Sequence, residues 1–544
     1  MSDSVSTPSS AGRVAWGTPT ARWMLTATVM ASGMAFLDST VVTVALPAIQ
    51  QDLGTGLSGL QWIVNGYMVT LSALILLSGS LSDRFGRVRL FMIGVAVFAL
   101  ASALCTFAPT LEWLITGRVA QGVGGALLTP GSLAILQAGF REEDRARAIG
   151  AWSGLTGVAS AVGPFVGGWL VQIGDWRLIF LINLPLAVAV LVIAHYKVPE
   201  SRDTSASGSL DYGGALLGVV ALGGITYALI QWGAEGGTPA VWTGAVIGVL
   251  ALVVFVVVEA RKRDPMLPLG LFRSVPFSVT NASTVVIYAA LGTLLFLMVI
   301  YLQEVAGYSP IAAGAASLPL TILMLTLSAR SGKLAARIGP RLQLVVGPLL
   351  LAGGLFWLSR IGEQAPYLAE VFPGVLLVAL GMSTTVAPLT ATVLASVPER
   401  HAGLASGVNN TFARGAQLIG VAAIPALAGI GGATGEGGGT EGTTGLAEHF
   451  GTAMLILAGL AVAAALCALA LPRGRMPEAE AEGRDAATRG APAEVGSAAV
   501  EESPHERPLR FCGVSGPPMR SCPGSSAGVR RNGGSPGASD QSSS

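Results

Sequence analysis

Two charged residues stand where charge is costly. Asp38 lies in Phe36-Leu37-Asp38-Ser39-Thr40-Val41-Val42-Thr43-Val44-Ala45-Leu46-Pro47, with apolar sequence on both sides. Arg118 lies in Gly117-Arg118-Val119-Ala120-Gln121-Gly122-Val123-Gly124-Gly125-Ala126. An acid at the middle of a membrane-spanning helix costs about 2.5–3.5 kcal/mol on insertion scales, and it is kept where it faces a cavity or a partner. Burial favours the neutral acid and a nearby cation favours the carboxylate, so a carboxyl held between the two can take up and release a proton. Arg118 is the expected cation. It lies about 10 Å from a helix start near Leu111, and Asp38 about 14 Å from a helix end near Pro47, so their depths are compatible. The plainer reading makes both residues structural bridges between helices.

The setting implied for that pair is a membrane. Of 544 residues 52% are hydrophobic, only 12% are charged, and 72 are glycine, too little charge to cover a soluble protein of this size. The net charge of +1 gives no reason to expect nucleic acid. Cys105 and Cys467 sit in apolar runs and Cys512 and Cys522 near the end, which suggests neither a disulfide framework nor a metal site. No Gly-x4-Gly-Lys-Ser/Thr string is present, so ATP is not the expected fuel. No loop clusters His, acidic or Cys residues as an enzyme site would. No cofactor is expected beyond the proton motive force. The first apolar run, Trp23 to Leu46, is long enough to span and reads as an uncleaved helix.

Fourteen apolar runs follow one another, at roughly 23–47, 58–80, 89–108, 111–136, 147–172, 177–195, 212–232, 240–258, 276–301, 310–328, 342–359, 368–393, 403–430 and 450–471. Alternate loops carry nearly all the basic residues, from Arg84 and Arg87 through Lys197, Arg261 and Arg273 to Arg337 and Arg341. The loops between them carry Arg177 and Arg360. That asymmetry predicts both termini in the cytoplasm. The fold class is an all-α polytopic membrane protein. Its expected plan is a disordered stretch over 1–20, six helices over 21–200, two inserted helices over 201–265, six more over 266–472, and a disordered tail over 473–544.

The stretch Gly79-Ser80-Leu81-Ser82-Asp83-Arg84-Phe85-Gly86-Arg87-Val88-Arg89 reads as a tight basic hairpin, with Gly79 and Gly86 letting the backbone turn. A weaker copy, Gly332-Lys333-Leu334-Ala335-Ala336-Arg337-Ile338-Gly339-Pro340-Arg341, recurs 253 residues later, as a duplicated half would give. The fifth run carries Gly150, Ala159, Gly163, Pro164, Gly167 and Gly168; small residues there allow close helix packing, and Pro164 a bend where a gate could sit.

The hairpin resembles the loop signature of the major facilitator superfamily. The string from Arg118 to Ala126 resembles that superfamily's fourth-helix motif, and the fifth run its antiporter signature, with Ala159 where Gly is usual. Phe180-Leu181-Ile182-Asn183-Leu184-Pro185, Leu210-Asp211-Tyr212-Gly213-Gly214, Tyr301 to Pro310 and Gly403 to Thr411 resemble the fourteen-span drug:proton antiporters. The resemblance covers about residues 20–472 and implies two six-helix bundles plus two inserted helices. It also implies export of amphipathic, drug- or antibiotic-like molecules in exchange for protons, by alternating access in the cell membrane. Asp38 and Arg118 would carry the proton. Gly79, Asp83, Arg84, Gly86 and Arg87 would form a latch, Asp83 meeting the start of the thirteenth span after Arg400. Gly163, Pro164, Gly167 and Gly168 would mark the antiporter helix. Thr43 stands where that family often has Asn, which touches substrate identity and not the class.

Expected cavity residues are Thr43, Trp62, Tyr67, Trp152, Tyr288 and Arg414. Arg414 has two uses open to it, an anionic substrate or backbone carbonyls of a neighbouring helix, and the second is the favoured one. Glu304 reads as a surface residue at the end of its span. The expected partners are a small amphipathic molecule, protons and lipid, with the chain a monomer. The rival readings are an importer or symporter on the same fold and a transport-inactive receptor or scaffold.

Overall fold

Three Ser/Thr-Pro pairs show how the helices start. Thr18-Pro19, Thr238-Pro239 and Ser309-Pro310 each place a side-chain oxygen before the first turn, where it accepts the N–H of Ala21 (3.3 Å), Val241 (3.4 Å) and Ala312 (3.3 Å). The proline fills the next position, where no N–H is needed. The computed structural model describes residues 13–202, 210–262, 265–398, 402–430 and 440–472. Expectations for 1–12, the loop at 431–439, Arg400 and the tail from 473 lie outside the described residues.

Among the described residues fourteen helices are long and apolar enough to cross a membrane. They are α1 (Pro19–Leu53), α2 (Leu57–Phe85), α3 (Arg87–Thr106), α4 (Leu111–Gly139), α5 (Glu142–Ile173), α6 (Leu178–Lys197), α7 (Tyr212–Glu235), α8 (Pro239–Arg261), α9 (Val275–Glu304), α10 (Pro310–Ile338), α11 (Arg341–Leu358), α12 (Tyr367–Ala395), α13 (Gly403–Ala428) and α14 (Gly445–Ala468). Most outrun the apolar stretch that announces them. Helical hydrogen bonding continues past the hydrocarbon because charged residues tolerate a helix as well as apolar ones do.

That overrun corrects the reading of the hairpin. α2 continues through Asp83 and Arg84 to Phe85, and α3 begins at Arg87, so Gly86 alone turns the chain, with φ 108°. Gly79 lies inside α2 and makes no turn. The copy repeats the device at Gly339, φ 88°, between α10 and Arg341. Both angles are in the region that favours glycine.

The first six helices pack on one another, α2 and α3 against α4, and α1 against α5 and α6. α9 to α14 repeat the pattern, with α10 and α11 on α12, and α9 and α11 on α14. Close approach rests on small residues: a Cβ on Gly124 would stand 2.6 Å from the Phe98 nitrogen across α3–α4, and one on Gly381 2.6 Å from the Leu351 nitrogen across α11–α12. The repeat-related serines make the same tie, Ser78 Oγ donating to the Ala126 carbonyl (2.5 Å) and Ser331 Oγ to that of Thr384 (2.8 Å). α7 and α8 pair with each other, and α7 also lies against α2 and α13. At the start of α7, buried Asp211 accepts the Gly214 N–H (2.6 Å) and pairs with Lys262. Buried Glu259 of α8 accepts the Leu267 N–H at 2.8 Å.

The expected disorder over 1–20 fails for its last part. Val14 N–H donates to the Gly139 carbonyl (2.7 Å) and Arg141 N–H to that of Val14 (3.2 Å). Trp16 N–H donates to Asp144 (2.7 Å), and Arg147 lies 4.6 Å over the Trp16 ring. This strap docks on the α4–α5 turn.

Candidate functional site

Asp38 and Arg118 meet. Arg118 Nη1 donates to Asp38 Oδ2 at 2.5 Å, and neither side chain exceeds 1% exposure. Arg118 Nε donates to the Ile63 carbonyl (3.1 Å) and Nη1 also to Gln121 Oε1 (2.8 Å). Asp38 Oδ1 accepts from Gln121 Nε2 (3.1 Å) and from Asn183 Nδ2 (2.9 Å). Ser102 Oγ accepts from both amides, at 2.8 and 3.3 Å. Arg118 also lies 4.5 Å over the Tyr67 ring and 5.9 Å over that of Phe180. Five helices, α1, α2, α3, α4 and α6, thus converge on one buried ion pair. Such a pair adds little net stability, but removing one partner strands a buried charge at a cost of about 3–5 kcal/mol.

Gln121 and Asn183 were legible only as letters of larger strings. Neutral amides leave no mark on hydropathy or charge, yet here they supply two of the three donors to the carboxylate. Glu200 is a second residue without a sequence signal: its carboxylate accepts the Val88 (3.0 Å) and Arg89 (2.9 Å) N–H groups and so caps α3.

The cavity candidates separate. The Arg414 guanidinium lies 5.4 Å over the Phe36 ring and is half-buried. It makes no hydrogen bond or ion pair among the described residues, so the bracing of helix carbonyls favoured from sequence is not what it does. Trp62 sits at the seam with α7, its ring 6.3 Å from Tyr227. Trp152 donates to Ser32 Oγ (3.2 Å) and ties α5 to α1. Thr43 is half-buried and donates to the Ser39 carbonyl at 3.1 Å. Glu304 accepts from Gln51 of α1 at 3.4 Å.

Asp83 pairs with Arg87 across the Gly86 turn at 2.8 Å and is 42% exposed. Arg84 lies 6.0 Å over the Phe85 ring. Pro164, Gly167 and Gly168 form a close seam. A Cβ on Gly168 would meet Ile311 Cα and N of α10 at 2.7 Å, and one on Gly314 the Pro164 carbonyl oxygen at 2.5 Å. Gly167 faces the Val41 backbone and Gly163 faces Thr40 of α1. Gln303 Nε2 adds a hydrogen bond to the Val44 carbonyl (3.0 Å) at the same end. Following that face of α5 toward the Gly86 turn, Gly157 still meets Leu325, but Gly154 and Gly150 meet nothing within 4 Å. The α5–α10 seam is therefore close at the end away from the Gly86 turn, while Leu76 of α2 still meets Gly407 of α13 toward that turn.

Residues 28–421 match the Major Facilitator Superfamily. The chain belongs to that superfamily. It is 36% identical to multidrug resistance protein Stp of Mycobacterium tuberculosis over 390 residues, 71% of each chain. It is 35% identical to the tetracenomycin C resistance and export protein of Streptomyces glaucescens over 395 residues, 72% of this chain and 73% of that one. With the puromycin resistance protein pur8 of Streptomyces alboniger it shares 36% over 411 residues, 74% and 80% of the two chains. Solved structures of the same fold include a D-xylose-proton symporter, with TM-score 0.59, 15% identity and coverage of 83% of this chain and 98% of that one. A peptide transporter POT in complex with sulfate superposes with TM-score 0.60, 14% identity and coverage of 84% and 94%. This is a multi-pass membrane transporter of the major facilitator superfamily.

Proposed function

We propose that this major facilitator exports amphipathic, drug- or antibiotic-like molecules in exchange for protons. The observation that carries the reading is the Asp38–Arg118 pair, buried among amide donors with Arg118 over the Tyr67 ring. A carboxylate so held stores one negative charge at the centre of the N-terminal bundle. A proton arriving at Asp38 removes the attraction that holds Arg118, and its departure restores it. The close seam of α5 on α10 supports alternating access, with the bundle over 21–200 rocking against that over 266–472 and α7–α8 riding between them. In this reading the Gly86 turn and both termini lie in the cytoplasm, which the basic loops favour. One proton entering down 100 mV supplies about 2.3 kcal/mol before any pH gradient. The relatives' names, which speak of multidrug, tetracenomycin C and puromycin resistance, agree with export.

The test is Asp38→Asn in inside-out vesicles given a fluorescent amphiphile outside, where export reads as uptake into the lumen. Export driven by an imposed pH gradient should vanish, while the protein still elutes as a folded species and counterflow without a gradient persists. Gradient-driven export that survives this change overturns the proton role of Asp38.

A further inference from the structure

Two arginines lie deep in the bundle, and only one of them is answered. Arg118 spends its donors on Asp38, Gln121 and the Ile63 carbonyl. Arg414 spends none among the described residues. A guanidinium stays charged at any attainable pH and carries five donors. In a membrane span it needs water, an acceptor from the protein, or one from a ligand.

What surrounds Arg414 can be read from its neighbours in depth. On α2, Gln61 Nε2 donates to the Val421 carbonyl (2.7 Å), and Leu76 meets Gly407, which brackets Arg414 opposite the Tyr67 turn. On α9, Asn409 Nδ2 donates to Thr284 Oγ1 (2.8 Å) and Gly292 faces Gln417, which brackets it opposite Tyr288. Neither tyrosine hydroxyl has a hydrogen-bond partner among the described residues. Three groups with unspent donors from three helices, α2, α9 and α13, therefore share one level. The Phe36 ring of α1 forms an apolar wall beside them. A structural arginine would bind helix carbonyls, and a structural tyrosine would bond its hydroxyl; Tyr67, though 2% exposed, leaves its hydroxyl unbonded among the described residues.

We infer that Arg414, Tyr67 and Tyr288 form the polar face of the substrate site, and that this face takes aromatic molecules offering carbonyl or phenolic oxygens and bearing no positive charge. The inference rests on the export reading above and narrows it. The aromatic body stacks along Phe36 while its oxygens accept from the guanidinium and the two hydroxyls. A lipophilic cation is turned away, because Arg414 adds a like charge and among the described residues no carboxylate pairs with it. Tyr67 has a second neighbour, since Arg118 lies over its ring, so a ligand on its hydroxyl sits next to the proton-carrying pair.

The experiment is equilibrium binding to the purified protein in detergent with no proton gradient, using a dihydroxyanthraquinone and tetraphenylphosphonium as probes. The wild type should bind the anthraquinone at least about tenfold more tightly than the cation. Arg414→Gln should weaken anthraquinone binding by about tenfold or more, the size expected for a lost charge-assisted hydrogen bond, and should leave cation binding unchanged or tighter. Arg414→Lys should fall between, and Tyr288→Phe, which removes a single oxygen, should weaken the anthraquinone several-fold. Tyr288→Phe also carries the test should Arg414→Gln not fold. Equal weakening of both probes, no weakening, or a wild-type preference for the cation overturns the inference. Coupling plays no part in this measurement, so proton-driven export of tetraphenylphosphonium alone would leave the export reading standing and sink this one.

Discussion

The two halves of the molecule share a scaffold and divide the charge unequally. Gly86 and Gly339 make the same turn, and Ser78 and Ser331 the same tie. At the 253-residue offset that relates them, Asp38 and Arg118 correspond to Leu291 and Val371. The C-terminal half closes on neutral contacts instead: Asn409 donates to Asn281 Oδ1 (3.2 Å) and Thr284, and Gln343 to Ser331 Oγ (3.1 Å). The difference teaches that duplication supplied the frame, and that the buried ion pair was lodged in one half. Among the described residues only that half carries a buried ion pair whose bonding a proton can change.

The largest effect should separate the two polar networks. Asn183→Leu removes a donor to a buried carboxylate, a bond to a charged group worth about 1.5–3 kcal/mol, and should slow gradient-driven export by tenfold or more. Asn281→Leu in the other half should lower the melting temperature and leave the transport rate within about twofold. Similar rates from the two variants would erase the division just drawn.

Next comes the seam that joins the halves. Gly314→Ala puts a methyl group 2.5 Å from the Pro164 oxygen, which is backbone and cannot turn aside. The closed end should be forced apart and transport should fall several-fold, read as a loss of cross-linking between cysteines placed at Val44 and Gln303. Gly353→Ala in α11, where nothing lies within 4 Å, should transport normally.

A smaller effect should separate the two hairpins. Asp83 pairs with Arg87 while 42% exposed, and Ala336 occupies the equivalent place. An exposed carboxylate near a helix start is worth about 0.3–1 kcal/mol, so Asp83→Asn should slow transport two- to five-fold with substrate affinity unchanged. Ala336→Ser should change neither. A loss of affinity in the Asp83 variant would remove the loop from conformational control.

The smallest effect concerns the inserted pair of helices. Burial pushes the Asp211 carboxyl up, but the facing Glu259 carboxyl, which burial itself raises and so leaves with a proton to share, prevails together with Lys262 and the Gly214 N–H and holds Asp211 below the ordinary carboxylate range. A group lowered in the folded state contributes stability above its unfolded value, about 3.9, and loses it as pH falls through the folded value. Asp211→Asn should therefore melt a few degrees lower than wild type at pH 7, and the gap should close as pH falls below about 4. A gap independent of pH would assign the loss to packing.

The fourteen helices were legible because each apolar run is long and each break is charged or glycine-rich. The meeting of Asp38 and Arg118 could be read from depth, since helical rise converts residue counts into height. The amides of Gln121 and Asn183 could not, because which face a neutral residue presents depends on helix rotation, which packing decides. The strap from Val14 to Trp16 was hidden for another reason: its partners at Gly139 to Arg147 are more than 120 residues away, and nothing local in Val-Ala-Trp predicts them. Arg414 was misjudged because an unanswered guanidinium and a bracing one look alike in one dimension.

The strap and the ion pair have a consequence for synthesis. Both reach from the first 38 residues to partners between Arg118 and Arg147. A ribosome must therefore make about a quarter of the chain before α1 finds either hold. During that interval α1 crosses the bilayer with a lone acid, at a cost of about 2.5–3.5 kcal/mol if charged. Entering as the neutral acid removes most of that cost, and the proton is surrendered when α4 delivers Arg118. The residue assigned to proton exchange would thus make its first exchange during birth of the protein, and nascent chains halted before α4 should retain α1 in the membrane poorly unless Asp38 is replaced by Asn.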